Sequence, residues 1–427
     1  MGEAFPNQLT IITRQLEQFH PLWSALAPDN RFYSKKLAEA GQPRRLENLQ
    51  QFAEIFPFTT KTEVTEDQRA SPPYGTNLTY PLDRYTRYHQ TSGTAGVPLR
   101  WLDTEESWQW MLGNWQKIFR AAEVNSTDRV FFAFSFGPFI GFWLAFEAAA
   151  KVGCLCLPAG GMSTTARARQ IIDLQATVLC CTPTYAIHMA ESAAKEQIDL
   201  SRSAVRVIIV AGEPGGSIPA TRQRIEQLWR KARVFDHHGM TEVGPVSFEC
   251  PDRPGVLHII EESYIPEVID PASGRVLERG ASGELVLTTL GRTGSPLIRY
   301  RTGDLVRTGR EPVCACGRSD LALEGGVLGR TDEMVVVRGV NVFPSAVEEI
   351  IRNCGGVAEY RVYVTKAAAL TELAIEIELE KGLADPAMIA RKVESAFQDL
   401  LSLRVPVRIV QTLPRFEMKS KRWARPS

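Results

Sequence analysis

Between Arg129 and Ala211 the chain alternates between short apolar runs and segments long enough to be helices, a pattern that few folds accommodate. Val130-Phe-Phe-Ala-Phe-Ser reads as a strand, Gly137-Pro138 as a break, and Phe142 to Lys151 as a helix. Leu155-Cys-Leu-Pro, Val178-Leu-Cys-Cys and the run from Val205 to Ala211 read as further strands, with helices around 164–174 and 185–195 between them. Strands that run continuously apolar are buried on both faces, and helical crossovers make them parallel. The expectation is an α/β fold, and ligands of such sheets bind beyond the carboxyl ends of the strands. Gly212-Glu213-Pro214, directly after the strand ending at Ala211, is therefore well placed for a site.

On either side the pattern changes. Residues 1–60 read as helices with aromatic anchors at Phe19, Trp23, Phe32 and Tyr33, interrupted at Asp29-Asn30. Residues 105–122 carry Trp108, Trp110, Met111, Trp115, Ile118 and Phe119 at helical spacing. Residues 245–330 hold short β-type runs separated by Gly and Pro turns, which predicts an antiparallel or barrel-like subdomain. After the polar junction Gly329-Arg330-Thr331-Asp332 comes a compact β/α unit. Its elements are a strand at 334–338, a helix capped by Ser345 and running to Arg352, strands near 359–364 and 372–380, a helix at 386–401 and a last strand from Val405. A chain of 427 residues exceeds what one core usually holds, so this partition into domains is expected.

Charge excludes one class of partner. Lys+Arg and Asp+Glu both number 49, whereas a nucleic-acid binder normally shows a basic excess. No run reaches the length of a membrane span, and Met1-Gly-Glu-Ala-Phe-Pro lacks a charged-then-apolar export pattern. The expectation is a cytoplasmic protein that engages no membrane, with most of its 8 cysteines reduced.

The segment Thr91-Ser92-Gly93-Thr94-Ala95-Gly96-Val97 suits neither strand nor helix. Its glycines allow tight turns whose N–H groups point inward, and its hydroxyls add donors, so it can cradle an anion. Read alone it is also an ordinary surface turn. It is followed, at wide intervals, by His238-Gly239-Met240-Thr241-Glu242 and by Tyr300-Arg301-Thr302-Gly303-Asp304. These three elements in this order resemble the adenylate-forming enzymes (acyl-CoA synthetases, adenylation domains and luciferases), most closely the phenylacetate–CoA ligase branch. The resemblance runs from about residue 80 to the end.

The resemblance implies a large N-terminal α/β domain at 1–331 with a β-rich subdomain at about 245–330. It also implies a small mobile α/β lid at 333–427, hinged near Asp332. Thr91, Ser92, Gly93, Thr94 and Gly96 would cradle the triphosphate of ATP, with Gly212, Glu213 and Pro214 also facing the nucleotide. Thr241 would contact the α-phosphate and Glu242 would bind Mg²⁺, while His238, beside Gly239, would stack on adenine. Asp304 suits two vicinal ribose hydroxyls, because an ionised carboxylate only accepts, and Arg330 would be a second nucleotide contact. Gly339 would line the path of the CoA thiol, and Lys419 would be the catalytic lysine carried by the lid. The chain departs from its relatives at Val97, where most have lysine (Arg100 being a candidate substitute), at His238 for tyrosine, and at Met418 for glycine.

Two further groups complete the set. Cys314-Ala-Cys316 in one turn, with Cys250 and His258 from another segment, supplies four soft-to-borderline ligands for tetrahedral, structural zinc, a pattern that some relatives resemble. Phe136, Phe139 and Gly141, following the first strand, match the part of the branch that lines the aryl pocket. The activity implied is an aryl (phenylacetate-like) acid–CoA ligase acting through an acyl-adenylate. Its rivals are an adenylating enzyme that passes the acid to a carrier protein or an amine, and a non-catalytic nucleotide-binding protein. Whether the chain forms a homodimer is left open.

Overall fold

The computed structural model describes residues 5–38, 46–91, 98–230, 232–331, 333–338, 340–367, 370–380, 383, 385–415 and 422–424. Four helices open the chain: α1 (Gln8–Asp29), α2 (Arg31–Ala38), α3 (Leu49–Ile55) and α4 (Lys61–Ala70). Phe19, Trp23 and Tyr33 close a satellite core with Phe52 and Phe56, and edge-on ring pairs fix its packing. Next comes an antiparallel hairpin of β1 (Tyr85–Gln90) and β2 (Arg100–Thr104), which flanks the 91–98 loop. The hairpin was not legible as strands in the sequence. Thr104 then caps α5 (Glu105–Ala121) by accepting from the Ser107 N–H, and the two acids of the first turn suit the positive helix end.

The predicted parallel sheet is present. Strands β3 (Arg129–Phe132), β4 (Leu155–Pro158), β5 (Val178–Cys181), β6 (Val207–Val210) and β7 (Arg233–Asp236) lie in the order β4-β3-β5-β6-β7. Their crossovers are α6 (Ile140–Val152), α7 (Thr164–Asp173), α8 (Pro183–Lys195) and α9 (Pro219–Leu228). Alternate residues serve opposite cores: Val130, Phe132, Val178, Cys180, Val207 and Phe235 face one, Phe131, Leu179, Ile208 and Val234 the other. Two-sided burial is why these strands read as unbroken apolar runs.

Past the sheet, a short hairpin of β8 (Gly239–Met240) and β9 (Gly244–Pro245) leads into a six-stranded antiparallel sheet. That sheet comprises β10 (Ser247–Glu249), β11 (Val256–Ile259), β12 (Tyr264–Ile269), β13 (Ser282–Thr289), β14 (Tyr300–Thr308) and β15 (Ala322–Arg330). Its order, β10-β11-β15-β14-β13-β12, is open rather than barrel-like. Thr302-Gly303-Asp304, which looks like a turn, lies inside β14, where the pairing with β13 skips these three residues and Gly303 has a positive φ.

The C-terminal unit holds a hairpin of β16 (Val335–Val337) and β17 (Val340–Val342), then α10 (Pro344–Cys354), β18 (Val357–Ala367), β19 (Leu370–Leu379), α11 (Pro386–Leu401), β20 (Val407–Val410) and β21 (Trp423–Ala424). The last strand begins two residues later than expected, after Pro406, and β21 is an addition that pairs parallel with β18. Ser345 is not the cap of α10: Phe343 occupies that position, and the Ser345 hydroxyl donates to the Leu328 carbonyl of the larger body. The unit rests on α8 and α9. Thr221 donates to Glu348 at 3.3 Å, Arg224 pairs with Glu380 at 2.7 Å, and Arg415 approaches Glu191 at 4.0 Å. Among the described residues no helix is long and apolar enough to cross a membrane.

Candidate active site

The carboxyl end of β7 delivers His237 and His238, and the β8–β9 hairpin follows at once. Asp304 on β14 faces them, with its Oδ2 2.9 Å from His238 Nε2. Its other oxygen accepts from Arg330 Nη1 at 3.1 Å, since Asp304 and Arg330 stand opposite each other across β14 and β15. Gly303 is required here: a Cβ on it would lie 2.8 Å from Arg330 Nη2, and its φ of +75° is costly for other residues. The structure thus gathers His238, Asp304 and Arg330, and in this state the imidazole edge is turned to the carboxylate.

Thr241 and Glu242 form the turn of the β8–β9 hairpin. Arg292 Nη1 donates to both their carbonyls at 2.7 Å, and the Tyr264 hydroxyl lies 2.8 and 2.9 Å from the carbonyls of Val243 and Pro245. The buried carboxylate of Glu242 accepts from Lys61 Nζ at 3.2 Å. Lys61 was missed in the sequence. It lies in the first turn of α4, behind a Thr60/Glu63 capping box that signals only a helix start. It supplies a cation beside Glu242, whereas Arg100 donates to the Pro73 carbonyl instead.

The 91–98 loop is closed at its base. Thr91 N–H donates to the Leu99 carbonyl at 2.9 Å, and Leu99 N–H donates to Thr91 Oγ1 at 3.0 Å. Ser92, Gly93, Thr94, Gly96 and Val97 lie outside the described residues, as do Asp332, Gly339, Met418, Lys419 and Lys421. Gly212 and Pro214 are exposed beyond β6, but the Glu213 carboxylate accepts from the backbone and hydroxyl of Thr184 at the start of α8. That contact places the carboxylate at the N-terminus of α8, beyond the carboxyl ends of β5 and β6.

Beyond β3, Phe136 packs against Phe134, Trp143 and Phe146 with ring centroids 5.0–5.8 Å apart. Phe139 lies beside Gly137, and Gly141 opens α6 with nothing within 4 Å of where a Cβ would stand. The Pro138 carbonyl accepts from Gln90 N–H at 2.8 Å, which joins this aromatic loop to the strand entering the 91–98 loop.

The four metal-ligand candidates also converge, their ligating atoms all within 4.8 Å of one another. Cys250 Sγ and Cys314 Sγ are 3.8 Å apart, and Cys316 Sγ is 3.4 Å from His258 Nε2. Tetrahedral zinc with Zn–S near 2.3 Å and Zn–N near 2.1 Å needs edges of about 3.8 and 3.6 Å, so the donor set fits. His258 Nδ1 lies 3.2 Å from the Asp320 carbonyl, a partner that leaves Nε2 to the cluster. Burial lowers the His258 pKa to about 4 and keeps the imidazole neutral. Burial also pushes the Cys250 thiol up to about 12. At Cys314 the same penalty is outweighed by the Cys316 N–H and by Arg253, and the thiol is lowered.

Comparison with known proteins extends this geometry. Residues 85–291 match the family model of the AMP-binding enzymes, and residues 339–424 that of the AMP-binding enzyme C-terminal domain. The phenylacetate-coenzyme A ligase of Pseudomonas putida is 32% identical over 355 residues, covering 81% of this chain and 77% of its own length. That of Escherichia coli (strain K12) is 30% identical over 382 residues, with coverage of 86% and 84%. Among solved structures, 2-hydroxyisobutyryl-CoA ligase in its postadenylation state superposes with a TM-score of 0.93 at 26% identity, covering 99% of this chain and 91% of that one. The same enzyme with CoA in its thioesterification state, at 26% identity and with the same coverage of the two chains, gives 0.75. Because the protein compared is the same, the difference in score lies in how its parts are arranged, and this chain superposes better on that enzyme's postadenylation arrangement.

Proposed function

The chain belongs to the AMP-binding enzyme family, among the relatives of the phenylacetate–coenzyme A ligases, and from that premise we propose that it is an ATP-dependent, AMP-forming aryl acid–CoA ligase. A carboxylate oxygen of the acid attacks the α-phosphorus of ATP, forming an acyl–O–P bond and releasing pyrophosphate. The CoA sulfur then attacks the acyl carbon, a C–S bond replaces the C–O bond to AMP, and the thiol proton is lost to solvent.

The observation that carries the reading is the convergence, at the carboxyl end of β7, of Asp304 with His238 and Arg330 and of Glu242 with Lys61. Asp304 takes the ribose hydroxyls and Arg330 holds it in place. Glu242 would hold Mg²⁺, which would supply neutralisation of phosphate charge, and Lys61 would provide the cation that Val97 does not. The aromatic group around Phe136 and Phe139 forms the wall for the aryl ring. The Cys250/His258/Cys314/Cys316 cluster would hold a structural zinc ion.

ATP–pyrophosphate exchange across a panel of aromatic acids tests the reading, with thioester release measured with and without CoA. No exchange with any acid would leave a nucleotide-binding protein. Exchange without CoA-dependent release would point to a carrier protein or an amine as acceptor. The aliphatic acid 2-hydroxyisobutyrate is run beside the panel, because the enzyme that superposes at 0.93 was solved with that acyl group as its adenylate.

Asp304→Ala is expected to weaken ATP binding at least tenfold. It removes the acceptor shared by two hydroxyls and leaves His238 and Arg330 without their carboxylate, and a lost charged hydrogen bond costs about 1.5–3 kcal/mol. Equilibrium titration with ATP in the absence of acid measures this, and an unchanged affinity would remove Asp304 from the site.

A further inference from the structure

Arg292 and Asp103 are both fully buried and form a bidentate pair, Nε to Oδ1 at 2.6 Å and Nη2 to Oδ2 at 2.7 Å. A buried ion pair is poor at stabilising a fold, since well-packed apolar residues of the same volume serve as well or better. Its geometry offers a different account. The remaining nitrogen, Nη1, donates to the carbonyls of Thr241 and Glu242, so that one planar guanidinium grips a carboxylate on β2 and the turn of the β8–β9 hairpin together. The face of the guanidinium lies over Trp101, 5.3 Å from the ring centroid.

Each end of this clamp is itself anchored. Asp103 lies on the strand that pairs with β1 and leaves the closed base of the 91–98 loop, with Arg87 opposite Asp103 and His89 opposite Trp101. Arg292 is delivered by a loop pressed onto α5. A Cβ at Gly291 would lie 2.2 Å from the Trp110 ring, Gly294 N–H donates to Ser107 Oγ, and Ser295 Oγ donates to the Leu102 carbonyl. The backbone that carries Glu242 is thereby tied to the backbone that carries the loop.

We propose that Arg292 is a positioning residue for the metal–triphosphate end of the site: held by Asp103, it fixes the peptide planes from which Thr241 and Glu242 project, so that the carboxylate meets a divalent cation already oriented. The inference rests on the reading that Glu242 binds that cation. A lysine at 292 cannot reproduce the clamp, because an ammonium is a point charge without the planar fork that spans a carboxylate and two carbonyls.

The test is Mn²⁺ binding to the enzyme–ATP complex without acid, followed by the electron paramagnetic resonance of free Mn²⁺. Loss of an outer-shell partner typically costs 10–100-fold in metal affinity, so Arg292→Lys is expected to raise the Mn²⁺ dissociation constant by about that factor. Thioester formation from pre-formed acyl-adenylate and CoA should stay within about twofold of the parent, since metal plays no part in that step. Asp103→Asn, which keeps the volume and one acceptor oxygen, is measured beside it as the milder lesion, and thermal melting checks that each variant is folded. Glu242→Gln separates the two readings. If it leaves Mn²⁺ affinity unchanged, Glu242 is not a metal ligand. If it weakens Mn²⁺ while neither clamp variant does, the role of Arg292 is wrong. A drop in both half-reactions at unchanged Mn²⁺ affinity shows a merely structural residue and also overturns the inference.

Discussion

Lys419→Ala is expected to slow formation of the acyl-adenylate by about 10²–10³-fold, the usual worth of one group that stabilises developing charge in a transition state. Thioester formation from pre-formed acyl-adenylate and CoA should change by no more than about twofold in the same variant. The asymmetry follows if the lid brings the lysine to the phosphate in one arrangement only. The segment's flanks are firmly held within the lid. Arg415 grips Glu378 at 2.8 and 2.9 Å, and the buried Arg422 pairs with Glu348 at 2.5 Å and Glu359 at 2.6 Å. Glu348 in turn accepts from Thr221 on α9, so the lid's own ion network continues into the larger body. Lys421→Ala serves as the control and should have little effect; if it is the damaging change, the catalytic lysine is Lys421. Gly339→Leu should do the reverse of Lys419→Ala, blocking the thiol while sparing pyrophosphate exchange. Stopped-flow measurement of each half-reaction decides among these, and two inert lysines would refute a lid-borne cation.

Removing the metal is the second large effect. Purified protein should contain about one equivalent of zinc, and Cys314→Ser/Cys316→Ser should lose it together with much of the protein's stability. Apparent energies of structural zinc sites reach about 10 kcal/mol or more at neutral pH, comparable with the whole stability of a domain, so even a fraction of that is felt. The lesion centres on a small satellite core of Cys250, Val256, Cys314 and Ala322 beneath the cluster. Chelator titration followed by calorimetry would show it as a fall in melting temperature. Metal-free protein that melts at the same temperature as the metal-loaded form would dispose of the site.

What could be read from the chain alone follows from what is local. The parallel sheet was legible because two-sided burial writes itself as unbroken apolar runs, and α11 because its cap and apolar spacing lie within its own residues. The cysteines and histidine were legible because thiol spacing in a polar turn has few other uses. Elsewhere tertiary contact overrode local chemistry. Gly303 signals a turn, but it is there to admit the Arg330 guanidinium across two strands. Ser345 has the composition of a cap, but its hydroxyl is claimed by the Leu328 carbonyl. Lys61 and Glu242 are 181 residues apart, and Asp103 and Arg292 are 189. No pattern within either segment marks those pairs, because each exists only once separate layers have packed.

β15 has a consequence for the fate of the intermediate. It starts beside the cysteine cluster, lies between β11 and β14 within the antiparallel sheet, and ends at Arg330, two residues before Asp332. The Arg330 end of β15 is paired with β14 alone, since β11 reaches only to Glu324, so a lid that turned at this junction would turn beside the edge that carries Asp304. If the lid swings there, Asp304, paired opposite Arg330 within the sheet, is expected to keep its place. On the proposed reading, a ribose held by Asp304 would stay held through an exchange of lid positions, and the acyl-adenylate, which water would destroy if it escaped, would not be released between the two half-reactions.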